Sequence, residues 1–188
     1  MQNNRAKLLC QLALMVAVYY VLGTTLVIHS GNFKLTFISL PVTFTAVLYG
    51  PAAGITVALL GEFLTQMSGP FGLAPNTILW MIPPAINGLV VGLVARSMWK
   101  KEKKLEARPA VCYAVCIVSS IAYWVVNTIV LFIDSKIYGY YNFAFVFGSA
   151  ALRLGKDLIV AVIVATVVIP LVRALRHSGL VAAAGKAI

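Results

Sequence analysis

Charge is what this sequence has least of. Asp, Glu, Lys and Arg make up 11% of its 188 residues, where soluble domains run near 25%. Only five of the charged residues are acidic, and none of those pair at a spacing useful for acid–base chemistry. There is no HExxH stretch and no Ser-His nucleophile set, so an intramembrane enzyme has little to work with. There is no GxxxxGK[ST] phosphate loop, which excludes ATP hydrolysis by that route. Histidine is limited to His29 and His177, far apart at the ends of apolar runs, so no metal site is expected. The three cysteines are Cys10, Cys112 and Cys116. The last two are four residues apart, which is neither a CxxC redox motif nor a zinc framework. They read as small residues of an apolar phase.

What the chain has is hydrocarbon. It is 61% hydrophobic, with mean hydropathy +0.95. At roughly 20 apolar residues per helical span, the expected fold class is an all-α integral membrane protein in one domain. Six spans are read at about 8–28, 37–49, 51–67, 77–98, 111–133 and 145–175. The first run is too long for a cleaved leader and is read as a retained span. The net charge of +10 raises nucleic acid as a partner. However, the basic residues lie at span ends and in one short loop, Lys100 to Arg108, with no basic face interleaved with aromatics. No nucleic-acid partner is expected. With both termini cytoplasmic, eleven of the fifteen Lys and Arg fall inside and two outside, the bias of a multi-pass protein in a lipid bilayer.

Several polar residues interrupt the apolar runs. Glu62 sits in the third span, where an unpartnered acid is costly. The fourth span contains Pro83-Pro84, which should kink it, with Trp80 and Asn87 beside the kink. Gly88 and Gly92 in the same span form a close-packing GxxxG pair. The fifth span carries Trp124 and Asn127. The loop at 68–76 contains Phe71 and reads as either a lid or a connector. Tyr138, Tyr140 and Tyr141 read as either a ligand cover or an interfacial belt. Ala13 and Ala17, four residues apart in the first span, would let another helix come close.

The sharpest interruption is Arg153, Lys156 and Asp157 in the sixth span. Twenty residues separate Arg153 from Arg173, about 30 Å of helix, so Arg153 belongs near the outer edge of the hydrocarbon. Two readings stand. In one, Arg153 pairs with Asp157 along the helix while Lys156 snorkels outward. In the other, a polar pocket opens to the outside. Its contacts are then Lys34, Glu62, Asn87, Asn127, Arg153 and Lys156, with Trp80, Trp124, Phe71 and Tyr138 as walls.

The order of these features resembles the substrate-binding S component of an energy-coupling factor (ECF) vitamin transporter. The resemblance runs from about Arg5 to Leu175. Ala13-x-x-x-Ala17 resembles the AxxxA motif with which these proteins dock on a transmembrane T subunit. Leu40-Pro41 through Leu48-Tyr49-Gly50-Pro51-Ala52-Ala53-Gly54 resembles their second-to-third span junction, and Gly61-Glu62-Phe63 follows where a Gly-acid pair often stands. Asn127-Thr128 and Leu152-Arg153-x-x-Lys156-Asp157 are similar to the end of folate-type members, the nearest branch. The loop Gly69 to Asn76 departs from the Phe-Pro-Gly-Phe-Thr-like loop of that branch.

The resemblance implies a high-affinity binding subunit of an ABC importer in the bacterial plasma membrane. It would take up a vitamin, folate-like or another carboxylate-bearing one such as pantothenate. It would have no cofactor of its own, while ATP and Mg would serve two cytosolic ATPase partners. The competing class is a small secondary transporter. That class calls for inverted repeats, and residues 1–95 and 96–188 show no convincing match.

Overall fold

The structure is a computed structural model that describes residues 2–30, 33–69, 72–101 and 105–178. Six helices carry the chain: α1 (Gln2–Thr24), α2 (Ser39–Tyr49), α3 (Pro51–Met67), α4 (Thr77–Lys100), α5 (Pro109–Ile137) and α6 (Ala150–His177). Four helical stretches are long and apolar enough to cross a bilayer: Ala6–Thr24, Thr77–Lys100, Pro109–Ile137 and Ala144–His177. The fourth includes a π-helical turn, Ala144–Gly148, ahead of α6.

The two shorter helices have a different place. α2 has 11 residues, about 16 Å at the usual rise, which is half a hydrocarbon thickness. Its consecutive residues Pro41 to Leu48 are all buried, because α1, α3, α4 and α6 all pack around it. Gly50 then turns the chain with φ +89°, a conformation that glycine adopts without steric cost. Pro51 opens α3 at a position where the missing N–H costs nothing.

α3 lies against α1, α2 and α4, and α5 lies between α4 and α6. The α3–α4 crossing is close because it is built on glycine. A Cβ on Gly88 would fall 2.7 Å from the Gly54 carbonyl carbon, and one on Gly92 would fall 2.3 Å from Pro51 Cα. The close-packing role read for the Gly88/Gly92 pair is therefore real, and its partner is the start of α3.

Two sequence expectations change here. The segment His29 to Thr36 reads from sequence as a polar loop with Gly31 and Asn32 as turn formers. The chain instead forms an antiparallel hairpin there, β1 (Ile28–Ser30) and β2 (Phe33–Leu35), with Ser30 opposite Phe33, so the described chain is helical apart from this pair. The fourth helix, α4, continues past Pro83 and Pro84, which are both buried inside it. Its cost falls on the carbonyls of Leu79 and Trp80, which receive no amide hydrogen from those prolines. Finally, Asp157 pairs with its neighbour Lys156, Nζ to Oδ1 at 2.9 Å. The expected Arg153–Asp157 ion pair is not formed, because Arg153 extends the other way and donates from Nη2 to the Val146 carbonyl.

At the opposite end of the bundle from the hairpin, Arg173 donates to the Glu106 carbonyl from Nε at 2.9 Å and Nη2 at 2.6 Å. Arg176 Nε lies 2.9 Å from Glu106 Oε1. Two arginines of α6 thus hold the short turn between α4 and α5.

Candidate functional site

Helical spacing brings one face of each of α3, α4, α5 and α6 to a shared space. Glu62 and Gln66 are one turn apart on α3. Trp80, Pro84 and Asn87 follow the same spacing on α4, as do Tyr123, Asn127 and Leu131 on α5. Ser149, Arg153 and Lys156 do so at the start of α6. Together with Thr36, Ile38 and Phe145 they enclose a chamber of about 340 Å³, Asn87 excepted. A smaller chamber of about 50 Å³ lies toward the Glu106 end of the bundle. Its polar wall is Ser39, Thr43, Asn87, Ser119, Ser120, Lys156 and Asp157. Thr36, Ile38, Pro84, Tyr123 and Lys156 line both chambers, so the two are neighbours that share a wall.

Of the residues named from sequence, Glu62, Trp80, Asn127, Arg153 and Lys156 meet in the larger chamber, and Asn87 lines the smaller one. Trp124 lines neither. One residue along a helix is about 100° of rotation, so Tyr123 faces the cavity while the Trp124 indole donates to the Ala150 carbonyl at 2.9 Å. Tyr138 is exposed and also outside the lining. Phe71 and the side chain of Lys34 lie outside the described residues. Sequence reasoning missed Gln66, Tyr123, Ser119 and Ser120. The first two stand four residues from Glu62 and Asn127, and that spacing was the available signal.

The charges in the lining are held individually. Glu62 accepts from the Tyr19 hydroxyl at Oε2, 2.7 Å, and from Gln66 Nε2 at Oε1, 2.8 Å. Lys156 and Asp157 form the ion pair above, and the Asp157 carbonyl accepts from Ser120 Oγ at 2.9 Å. Arg153 keeps a buried Nε without a hydrogen-bond partner among the described residues. Among the described residues the lining carries two cations, Arg153 and Lys156, and two acids, Glu62 and Asp157. Among the described residues no cluster of His, Cys, Asp or Glu is arranged to hold a metal ion.

The hairpin end of the cavity is tied by one buried acid. Asp134 accepts from Asn76 Nδ2 at 2.7 Å and from the Tyr140 hydroxyl. This joins the segment before α4 to the connection between α5 and α6. Burial and the bond to Asp134 push the Tyr140 phenol well above its ordinary pKa, so it stays a donor at neutral pH.

On the outside of the bundle, Val16 and Tyr19 turn inward from α1 and are buried. Ala13 and Ala17, on its other face, are exposed. Among the described residues, nothing packs over that small-residue face closely enough to bury it.

The sequence model described as "ECF-type riboflavin transporter, S component" matches residues 3–177. The chain belongs to this family. The S-component resemblance seen in the sequence is thereby established, and the branch is the riboflavin type where the motifs had pointed nearest to the folate type. A solved structure, described as the structure and mechanism of the S component of a bacterial ECF transporter, aligns with TM-score 0.66 over 95% of this chain and 98% of that one. Their sequences are 22% identical, so the likeness shows a shared fold. No curated protein sequence matches the chain. In this S component the exposed Ala13/Ala17 face and the internal cavity lie on separate surfaces of the bundle.

Proposed function

We propose that this S component binds riboflavin in the two neighbouring chambers and presents it to an energising module. The observation that carries the reading is the lining, in which, among the described residues, two cations are matched by two acids. A carboxylate-bearing vitamin such as folate or pantothenate would add an unmatched negative charge to that set, and a buried charge without a partner is strongly penalised. Riboflavin is an uncharged flat ring system joined to a chain of hydroxyls. The larger chamber has the aromatic walls Trp80, Tyr123 and Phe145 and a volume of about 340 Å³, within the range of about 300–1,000 Å³ for small-molecule sites. The smaller chamber offers Thr43, Asn87, Ser119 and Ser120, partners suited to hydroxyls.

The finer topology belongs to the same proposal. The chain makes six spans, with both termini on the cytoplasmic side of a bacterial plasma membrane, as the distribution of Lys and Arg supports. The Ala13/Ala17 face meets a T subunit, and two ATPase partners that use ATP and Mg supply the energy.

The purified chain in detergent should quench riboflavin fluorescence with one-to-one stoichiometry, and neither folate nor pantothenate should compete. In vesicles, uptake should require the ATPase partners. Binding of a carboxylate vitamin in place of riboflavin would overturn the substrate reading. Uptake by the isolated chain would overturn the transport reading.

A further inference from the structure

Tyr19 belongs to α1, whose described residues contribute nothing to the walls of either chamber, yet it is fully buried and its hydroxyl reaches a wall residue. Its ring occupies the space left by Gly61, where a Cβ would fall 2.4 Å from Tyr19 Cγ. From there the hydroxyl donates to Glu62 Oε2 at 2.7 Å. Gln66 donates to the other oxygen at 2.8 Å. One donor on each oxygen pins the carboxyl group in a single orientation. A carboxylate has about four acceptor sites, so about two remain for a group in the chamber that Glu62 lines. Among the described residues Glu62 takes part in no ion pair. It is held by neutral donors, and a further donor is what its free acceptor sites are suited to receive.

We propose that Glu62 accepts a hydrogen bond from the bound ligand and that Tyr19, standing outside the cavity, is the residue that positions it. This rests on the riboflavin reading. Riboflavin offers two kinds of donor, the imide N–H of its ring and the hydroxyls of its side chain. A phenylalanine at position 19 would fill the same space beside Gly61, and only the hydroxyl reaches Glu62. The role of Tyr19 is therefore separable from packing.

The test uses the full chain in detergent, with riboflavin affinity read from flavin fluorescence. Tyr19→Phe should weaken binding about tenfold, the size of one charge-assisted hydrogen bond partly lost. In a Glu62→Ala background the same substitution should change affinity by less than about twofold, because its route to the ligand is gone. Should Tyr19→Phe fail to fold, Gln66→Met removes the other donor and should show the same loss with the same dependence on Glu62. Lumiflavin, which keeps the ring imide and lacks the hydroxyl chain, separates the two donors. A loss that persists with lumiflavin assigns the imide, and a loss that disappears assigns a hydroxyl; either supports the proposal. Unchanged riboflavin affinity in Tyr19→Phe, with only a lower melting temperature, would overturn it and leave the riboflavin reading intact. If the parent chain does not bind riboflavin, both fall together.

Discussion

Gly92→Ala places a methyl group where the structure has backbone. The new carbon would lie 2.3 Å from Pro51 Cα, 2.5 Å from Pro51 N and 2.9 Å from the Gly50 carbonyl carbon. Carbon contacts are at their best near 3.5–4.0 Å, so α4 and the start of α3 must part by more than about 1 Å. No flexible side chain can give way, since all three atoms are main chain. Overpacking of this kind costs about 1–3 kcal/mol or more, and for a chain of this size each kcal/mol lowers the melting temperature by about 2–4 °C. A drop of roughly 2–12 °C is expected, measured by thermal unfolding in detergent. The two helices that part also carry Glu62, Gln66, Trp80 and Asn87, so riboflavin binding should weaken in the same variant. Gly155→Ala is the control. A Cβ there meets nothing within 4 Å, and alanine suits a helix better by up to about 1 kcal/mol. If Gly92→Ala melts at the same temperature as Gly155→Ala, the glycine-built crossing is not what holds α3 to α4.

Two further outcomes separate neighbouring residues. Tyr123→Ala should weaken riboflavin at least about tenfold by stripping a wall shared by both chambers, while Trp124→Phe should leave affinity within about twofold, as read by fluorescence titration. Asp134→Ala leaves Asn76 and Tyr140 without their acceptor, at a cost of about 1–3 kcal/mol. Hydrogen exchange should then quicken at 72–76 and 138–142 and stay unchanged around Glu106.

The charged ligand that the sequence suggested has a local origin. Arg153 and Lys156 stood out in an apolar run, and two cations near an outer boundary invite an anion. The structure gives each of them an internal contact: Val146 for Arg153 and Asp157 for Lys156. The partner of Arg153 is a backbone carbonyl seven residues earlier, in a π-helical turn that no hydropathy pattern announces.

Composition alone decided that this chain lives in a bilayer, because an 11% charged sequence cannot cover a water-exposed surface. Apolar run lengths and proline–glycine breaks placed the helices, since both act within a few residues of chain. The Gly50-Pro51 junction and the glycines of α4 were legible for the same reason, and motif order carried the family.

Tertiary structure alone decided which faces meet. Helical periodicity assigns Tyr123 and Asn127 to one face of α5, but it does not say which neighbour that face looks at. Nor does it say that α2 would be enclosed rather than exposed to lipid. Glu62 shows the limit most clearly. The sequence required that a membrane acid find partners, and packing chose a tyrosine 43 residues away on α1, because only the bundle brings Gly61 and Tyr19 into contact.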